Sequence, residues 1–255
     1  MKTLLILSLF ITVNICISAQ VNNPQTIHIM VALCDNQYHG IVKVPKGIGN
    51  GQDPNSNLYW GCGYGVRTHF RKSAEWKEVK RYKVNDIILE RIIFKHTTKE
   101  YYLIADAYDG RNISDCTIDF LKSCAGSKKD TLMVGKRTLG INGNARLVSY
   151  VGHNGLMDFS LANTYENTDG KKRDAIIIAC YSKRFFTPYL RSAKANPLVW
   201  STHLMSAEAY TVHDAISAYI KGQTSASVRE AAASAYNKYQ KCGINGARRL
   251  LVSGF

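Results

Sequence analysis

A histidine and a cysteine each follow an apolar run of the chain, and together they have the chemistry for nucleophilic catalysis. His153 stands in Gly-His-Asn-Gly after the run 146–151, and Cys180 directly follows the run 174–179. A thiolate is a strong nucleophile, and a nearby imidazole can generate or stabilise it. The residue types therefore predict attack by the Cys180 sulfur on a carbonyl carbon, with His153 as general base or imidazolium partner.

Backbone N–H groups beside this pair could stabilise the negative oxygen that such an attack produces. Gly152 and Gly155 flank His153, and glycine lets a substrate approach the backbone closely. We expect the N–H groups of Asn154 or Gly155, together with that of Cys180, to form an oxyanion hole.

The elements that must position the pair are predicted from apolar runs and helix signals. Strands are expected at 26–33, 86–95, 101–107, 146–151, 174–179, 197–202 and 248–252, and helices at 59–70, 114–124, 185–193, 208–220 and 227–241. Because most strands are apolar throughout, they favour an α/β three-layer sandwich with a mostly parallel central sheet, in a single domain. The 27 residues from His153 to Cys180 suffice for one crossover between neighbouring parallel strands. Both side chains would then lie at the same edge of the sheet.

The loops at that edge are expected to bind substrate. Asp35, Asn36 and Gln37 follow the first strand, and Ser201 ends the strand after Cys180. A pocket built on Asp35 would favour a basic side chain by charge pairing, whereas Asn36, Gln37 and Ser201 alone would favour a neutral polar one. The alternative is that Asp35 only caps the turn after its strand.

The two motifs resemble a known superfamily. Tyr-Val-Gly-His-Asn-Gly at 150–155 and Ile-Ile-Ile-Ala-Cys-Tyr-Ser at 176–182 are similar to the His-Gly and Ala-Cys blocks of the caspase–legumain–gingipain cysteine peptidases. The resemblance implies a caspase-like fold, His153 and Cys180 as catalytic residues, and a peptide or protein substrate. Asn154 stands where the family usually has glycine, and Ile178 stands where members that cut after basic residues often carry an acid.

The first 19 residues differ in composition from the rest. Lys2 precedes a mostly apolar stretch over 4–17, and polarity returns at 18–20. This pattern predicts a signal peptide over 1–19, cleaved near Ala19, and a mature domain over 20–255 that is secreted or periplasmic. An uncleaved membrane anchor is the alternative, although the apolar stretch is shorter than a span needs. No later segment approaches membrane-spanning length.

Composition limits the other function classes. A hydrophobic content of 45% excludes a disordered chain, and seven cysteines are too few for a disulfide scaffold. His and Cys never cluster at the spacing of a zinc site, so no metal and no cofactor is expected. The oligomeric state stays open.

Two other functions compete with peptidase activity. One is a caspase-like binding protein without catalysis. The other is nucleic-acid binding, which a net charge of +14 would favour. Its densest basic stretch has Trp76 and Tyr82 interleaved and comprises Arg71, Lys72, Lys77, Lys80, Arg81 and Lys83. A solvated basic helix face is the commoner explanation of such a stretch, so a nucleic-acid partner is not expected.

Overall fold

The computed structural model describes residues 24–40 and 43–255, and within them the chain builds a central sheet flanked by helices. The strands are β1 (Gln25–Ala32), β2 (Trp76–Tyr82), β3 (Ile88–His96), β4 (Tyr101–Tyr108), β5 (Lys129–Val134), β6 (Arg137–Asn142), β7 (Leu147–Gly152), β8 (Asp174–Ile178), β9 (Asn196–Ser201) and β10 (Leu251–Val252). The helices are α1 (Val66–Lys72), α2 (Ile113–Ala125), α3 (Ser182–Ser192), α4 (Ala209–Ile220), α5 (Ser225–Gln240) and α6 (Ile244–Leu250).

Eight of these strands form one mixed sheet in the order β10-β9-β8-β7-β1-β4-β3-β2. The five central strands, β9, β8, β7, β1 and β4, are parallel to one another. The outer strands β10, β3 and β2 pair antiparallel with their neighbours. The prediction of an α/β fold with a mostly parallel central sheet is therefore confirmed.

Side chains of the sheet alternate between two apolar cores, as the two-residue period of a strand requires. On β1, Ile27, Ile29 and Val31 join the core that buries residues of α1, α4, α5 and α6. Met30 and Ala32, between them, join the core beneath α2 and α3. The central strands are thus covered on both faces, which explains why they are apolar throughout.

A buried charge network ties three strands of the sheet together. Asp106 on β4 accepts two hydrogen bonds from the Arg91 guanidinium, both at 2.6 Å, and lies 3.0 Å from His28 Nε2. The Arg91 guanidinium and His28 hold the pKa of Asp106 below its usual range, to about 2, although burial acts in the opposite direction. His28 Nδ1 accepts a hydrogen bond from the Asn142 amide at 3.0 Å, which fixes the end of β6 against β1.

Several predicted elements differ from the observed ones. The helix expected at 59–70 begins only at Val66, because the glycines before it lie in successive turns. The helix expected at 227–241 begins two residues earlier, at Ser225, since Thr224 caps α5 by accepting from the Ser227 amide. Most of the strand expected at 248–252 belongs to α6, and only Leu251–Val252 pairs with β9.

The basic stretch is divided between a helix end and an edge strand, because Arg71 and Lys72 lie in the last turn of α1 whereas Lys77, Lys80 and Arg81 lie on β2. Residues 76–82 form β2, where Trp76 is buried against the core and the remaining side chains are largely solvated. The hairpin of β5 and β6, which the sequence did not indicate, packs Leu139 and Ile141 on the sheet beside β4. The predicted signal peptide, residues 1–19, lies outside the described residues. Within the described part of the chain, no helix has the length and apolar character needed to cross a bilayer.

Candidate functional site

The parallel pairing of β7 and β8 brings His153 and Cys180 to the same edge of the sheet. Val151 is in register with Ile178, so the two reactive residues follow neighbouring strand ends two residues later. Gly152 has a φ of 132°, and a Cβ there would meet the Ala32 carbonyl oxygen at 2.4 Å, so only glycine fits this turn. His153 and Cys180 both line one cavity.

His153 is oriented by a carboxylate. Its side chain is buried, and Nε2 lies 2.6 Å from Asp158 Oδ2. A proton on Nε2 satisfies this contact and leaves Nδ1 unprotonated, and Nδ1 has no hydrogen-bond partner among the residues that the structure describes. Burial lowers the pKa of His153 below its usual value, while Asp158 acts in the opposite direction. The lowered pKa favours the neutral imidazole, and its unpaired Nδ1 is buried from solvent.

A second histidine supports the first. The His39 ring stacks on His153 with centroids 5.0 Å apart and 24° between the planes. His39 Nε2 donates to the Gly110 carbonyl at 2.9 Å, and Nδ1 accepts from the Asp35 amide at 3.3 Å. Burial lowers the pKa of His39, so it remains a neutral ring that keeps water from one face of His153.

Cys180 is a partly buried, uncharged thiol. Burial raises its pKa above the ordinary thiol value. Its Sγ accepts from the Met205 amide at 3.3 Å and contacts the Met205 carbonyl at 3.4 Å, and it forms no hydrogen bond with His153. The geometry therefore presents a thiol and a neutral imidazole rather than a preformed ion pair.

A strained turn places Cys180 at the cavity. Tyr181, the next residue, has a φ of 48° in the left-handed region, and α3 begins at Ser182. Beneath the turn, Ser201 Oγ donates to the Ala179 carbonyl at 2.5 Å and accepts from the Ser182 amide at 3.2 Å. These bonds hold the segment that carries the thiol between the end of β8 and the start of α3.

Two backbone amides near the thiol make no hydrogen bond to another residue among those that the structure describes. The Asn154 side chain donates to the Cys180 carbonyl at 2.7 Å and accepts from the Leu156 amide at 3.1 Å. Within residues 24–40 and 43–255, the amides of Asn154 and Cys180 donate to no other residue. The Gly155 amide interacts instead with the buried Tyr150 hydroxyl. Of the three amides predicted for an oxyanion hole, that of Asn154 therefore has no partner among the described residues, and that of Cys180 interacts only with the thiol of its own residue.

The cavity measures about 510 Å³, within the range of small-ligand sites. Besides His153 and Cys180, its lining consists of Gly40, Val44, Leu58, Tyr59, Met157, Leu204, Met205 and Ser206. The two loops expected to form its walls do so, but with residues further along the chain. Gly40 and Val44 come from the loop after β1, and 204–206 from the loop after β9.

The residues predicted to bind substrate lie elsewhere. The Asp35 carboxylate is buried and accepts from the amides of Gln37 and Tyr38, at 2.8 and 3.1 Å, and from the Gln52 side chain at 2.7 Å. This is the turn-capping alternative for Asp35. The Asn36 side chain bonds the Val44 backbone in both directions.

The other two predicted substrate residues also do not line the cavity. The Gln37 side chain is exposed, outside the cavity lining. Ser201 is fully buried beneath the Cys180 turn, where its hydroxyl bonds to backbone atoms. All four thus shape the loops around the site without facing the cavity.

The sequence did not indicate Asp158 as a site residue. His39 lies in the loop after β1, which was expected to bind substrate, but its stacking on His153 was not expected. Asp158 follows His153 by five residues, as an isolated acid after Gly-Leu-Met, and its Oδ2 also accepts from the Gly40 amide at 3.0 Å. A carboxylate shortly after a candidate base was the available signal. No local pattern marks His39, which reaches the site only through the path of the loop after β1.

The basic stretch offers little for stacking on nucleic-acid bases. Trp76 is buried in the core. Arg71 lies 2.9 Å from Glu78, and Arg81 lies 3.4 Å from the same carboxylate. Lys83 pairs with Asp86 at 2.7 Å. Half of the cations in the stretch are thus already paired within the chain.

The six cysteines among the described residues are free. Cys34, Cys116 and Cys124 are buried, and burial raises the pKa of Cys34 to about 11 and that of Cys124 to about 12. In the described ranges, no cluster of three or more His, Cys, Asp or Glu side chains is arranged to hold a metal ion. Cys180 therefore stands out among the thiols because it lines the same cavity as His153.

No family model, no curated protein and no solved structure matches the chain.

Proposed function

We propose that the protein is a cysteine endopeptidase with a caspase-like fold. The observation that carries the proposal is the meeting of His153 and Cys180 in one cavity at the ends of two neighbouring parallel strands. The Asp158 carboxylate completes the order nucleophile, base and orienting group that activated nucleophiles use. The resemblance of both motifs to the caspase–legumain–gingipain superfamily supports the same assignment.

Each residue has a role in the proposed reaction. Nδ1 of His153 takes the thiol proton as the Cys180 sulfur attacks the peptide carbonyl carbon. The carbonyl oxygen becomes negative and accepts hydrogen bonds from the amides of Asn154 and Cys180. The imidazolium, stabilised by Asp158, then protonates the leaving amine. Water, deprotonated by His153, hydrolyses the resulting thioester and regenerates the thiol.

The first test compares cysteine variants. Cys180→Ala is expected to lower hydrolysis of peptide amides by about 10³-fold or more, because the nucleophile is lost. The exposed Cys242, outside the cavity lining, supplies a matched control, and Cys242→Ala is expected to keep full activity. Full hydrolysis by Cys180→Ala would refute the proposal.

One observation favours a second candidate, a caspase-like binding protein without catalysis. The Cys180 thiol has a raised pKa and bonds Met205 rather than His153. The rate of alkylation by iodoacetamide between pH 6 and 9 distinguishes the two candidates. A peptidase thiol should react near neutral pH and lose this reactivity in His153→Ala. A thiol that reacts only at alkaline pH, with or without His153, would indicate the binding protein.

We also propose that the protein is exported with removal of its first 19 residues. Support comes from the charged and apolar pattern of that segment, which is typical of signal peptides. Mass spectrometry of the protein recovered from the secreting cell's exterior or periplasm should give an N-terminus at or near Gln20. An intact Met1 in membrane-bound protein would favour the anchor instead.

A further inference from the structure

Apart from the side chains of His153 and Cys180, the cavity is lined mainly by apolar side chains. Val44 and Leu58 form part of its wall, and Met157, Leu204 and Met205 form another part. No Asp, Glu, Lys or Arg side chain lines it among the residues that the structure describes. A substrate side chain that enters this space would meet hydrocarbon and sulfur atoms.

The two side-chain hydroxyls of the lining, those of Tyr59 and Ser206, carry no charge, and that of Ser206 is already engaged. The Ser206 hydroxyl donates to Glu208 Oε2 at 2.9 Å, and the Ser206 amide donates to the Tyr236 hydroxyl at 3.1 Å. Tyr59 is buried, and burial raises the pKa of its phenol, so it stays uncharged. A charged substrate side chain placed here would lose water without gaining an oppositely charged partner among the described residues of the lining, which is costly.

We propose that this cavity is the primary specificity pocket and that the substrates carry a large apolar residue, such as Leu, Met or Phe, immediately before the cleaved bond. The inference rests on the proposed peptidase function and adds the substrate class. It replaces the basic or neutral polar preference expected from the loop after β1, because Asp35 and Asn36 are engaged within that loop. Burial of a Leu-sized side chain corresponds to about ten- to a hundredfold in kcat/KM over a charged one.

The wild-type test uses peptide amides that differ only in the residue before the scissile bond. Leu, Met and Phe are compared with Arg, Lys, Asp, Asn and Gly. The proposal expects kcat/KM about tenfold or more higher for the apolar group than for Arg or Asp. A preference for Arg, Lys, Asp or Asn, abolished by Cys180→Ala, would overturn the pocket assignment and leave the peptidase function standing.

Leu204 allows the pocket to be changed without disturbing the core. Its side chain is 61% exposed at the cavity mouth, so Leu204→Asp should fold normally. The variant should lose activity on Leu substrates and gain about fivefold on Arg relative to Leu, as expected for a partly exposed ion pair. Met133 is equally exposed, at 61%, and lies on β5 outside the cavity, so Met133→Asp is the matched control and should change neither rate. Equal specificity in both variants would refute the assignment.

A binding measurement separates failure of the pocket from failure of catalysis. Calorimetry with the Cys180→Ala variant should show tighter binding of the Leu peptide than of the Arg peptide, and addition of Leu204→Asp should remove the difference. If no peptide is cleaved by the wild type but this binding pattern holds, the pocket assignment survives and the peptidase function does not. If peptides are cleaved and binding shows no apolar preference, the peptidase function survives and the pocket assignment does not.

Discussion

Replacement of Asp158 by asparagine tests whether the carboxylate controls the state of the candidate base. Asp158 Oδ2 lies 2.6 Å from His153 Nε2, so a proton on Nε2 is favoured and Nδ1 is left free to accept one. An asparagine has nearly the same shape, but its amide can donate to Nε2. That contact favours the other tautomer, with the proton on Nδ1, where it blocks transfer from the thiol.

The expected loss of rate follows from the usual contribution of a positioned general base. A positioned general base contributes about 10²–10⁴-fold to a rate, which corresponds to about 3–5.5 kcal/mol of barrier. Asp158→Asn should therefore lower kcat by about 10²–10⁴-fold. KM should change little, because Asp158 does not line the cavity.

The pH dependence of the activity should also change in a defined direction in this variant. Activity requires neutral His153, so it falls as the pH drops through the pKa of that imidazole. Burial lowers this pKa and Asp158 raises it. Without the carboxylate the pKa falls further, and the acidic limb of the residual activity should move to lower pH.

The assay is steady-state hydrolysis of a peptide amide between pH 4 and 9, with circular dichroism to check the fold. Asp119→Asn is the control, because Asp119 is similarly shielded, at 17% against 26% exposure, but pairs with Lys128 outside the cavity. Wild-type kcat and an unmoved acidic limb in Asp158→Asn would show that the carboxylate does not orient the base.

Three further changes test the surroundings of the site and the fold. His39→Ala removes the ring stacked on His153, and kcat should fall about tenfold. The acidic limb of the pH–activity profile should move to higher pH, because water then reaches the His153 imidazole. An unchanged profile would show that His39 does not shield His153 from water. Asp106→Asn leaves the Arg91 cation buried without its carboxylate and should lower the free energy of unfolding, measured in urea, by about 3–5 kcal/mol. A loss below about 1 kcal/mol would mean that the network of Asp106, Arg91 and His28 is solvated. Burial lowers the pKa of His69 to about 4, so the stability that the neutral imidazole contributes at pH 7 is lost as the pH falls from about 6.5 toward 4. The loss of unfolding free energy between pH 7 and 5 should therefore be about 1–2 kcal/mol smaller in His69→Gln than in the wild type. An identical loss in both proteins would show that His69 is not the titrating group.

The central strands were predictable because burial on both faces leaves a simple pattern. The run 174–179 contains only apolar residues after its first position, and it forms β8 within one residue of the expected end. Strands β2, β5 and β6 were not predicted, because one or both of their faces are solvated and their composition is polar or charged. Such strands depend on pairing with a neighbour rather than on their own apolar content.

The candidate dyad was predictable for a topological reason that does not extend to the rest of the site. Neighbouring parallel strands end at one edge, so a histidine after β7 and a cysteine after β8 must come close whatever the loops do. Asp158 and the cavity wall at 204–206 depend on the path of each loop after its strand, which local composition does not specify. Asp35 and Ser201 show the converse. Ser201 is the last residue of β9, and Asp35 follows the end of β1 by three residues. Backbone groups that leave the ladder there need partners, and these two side chains supply them instead of facing the cavity. A side chain near a strand end can thus face the cavity, as those of His153 and Cys180 do, or hold the loop in place, as those of Asp35 and Ser201 do, and the sequence alone does not distinguish the two.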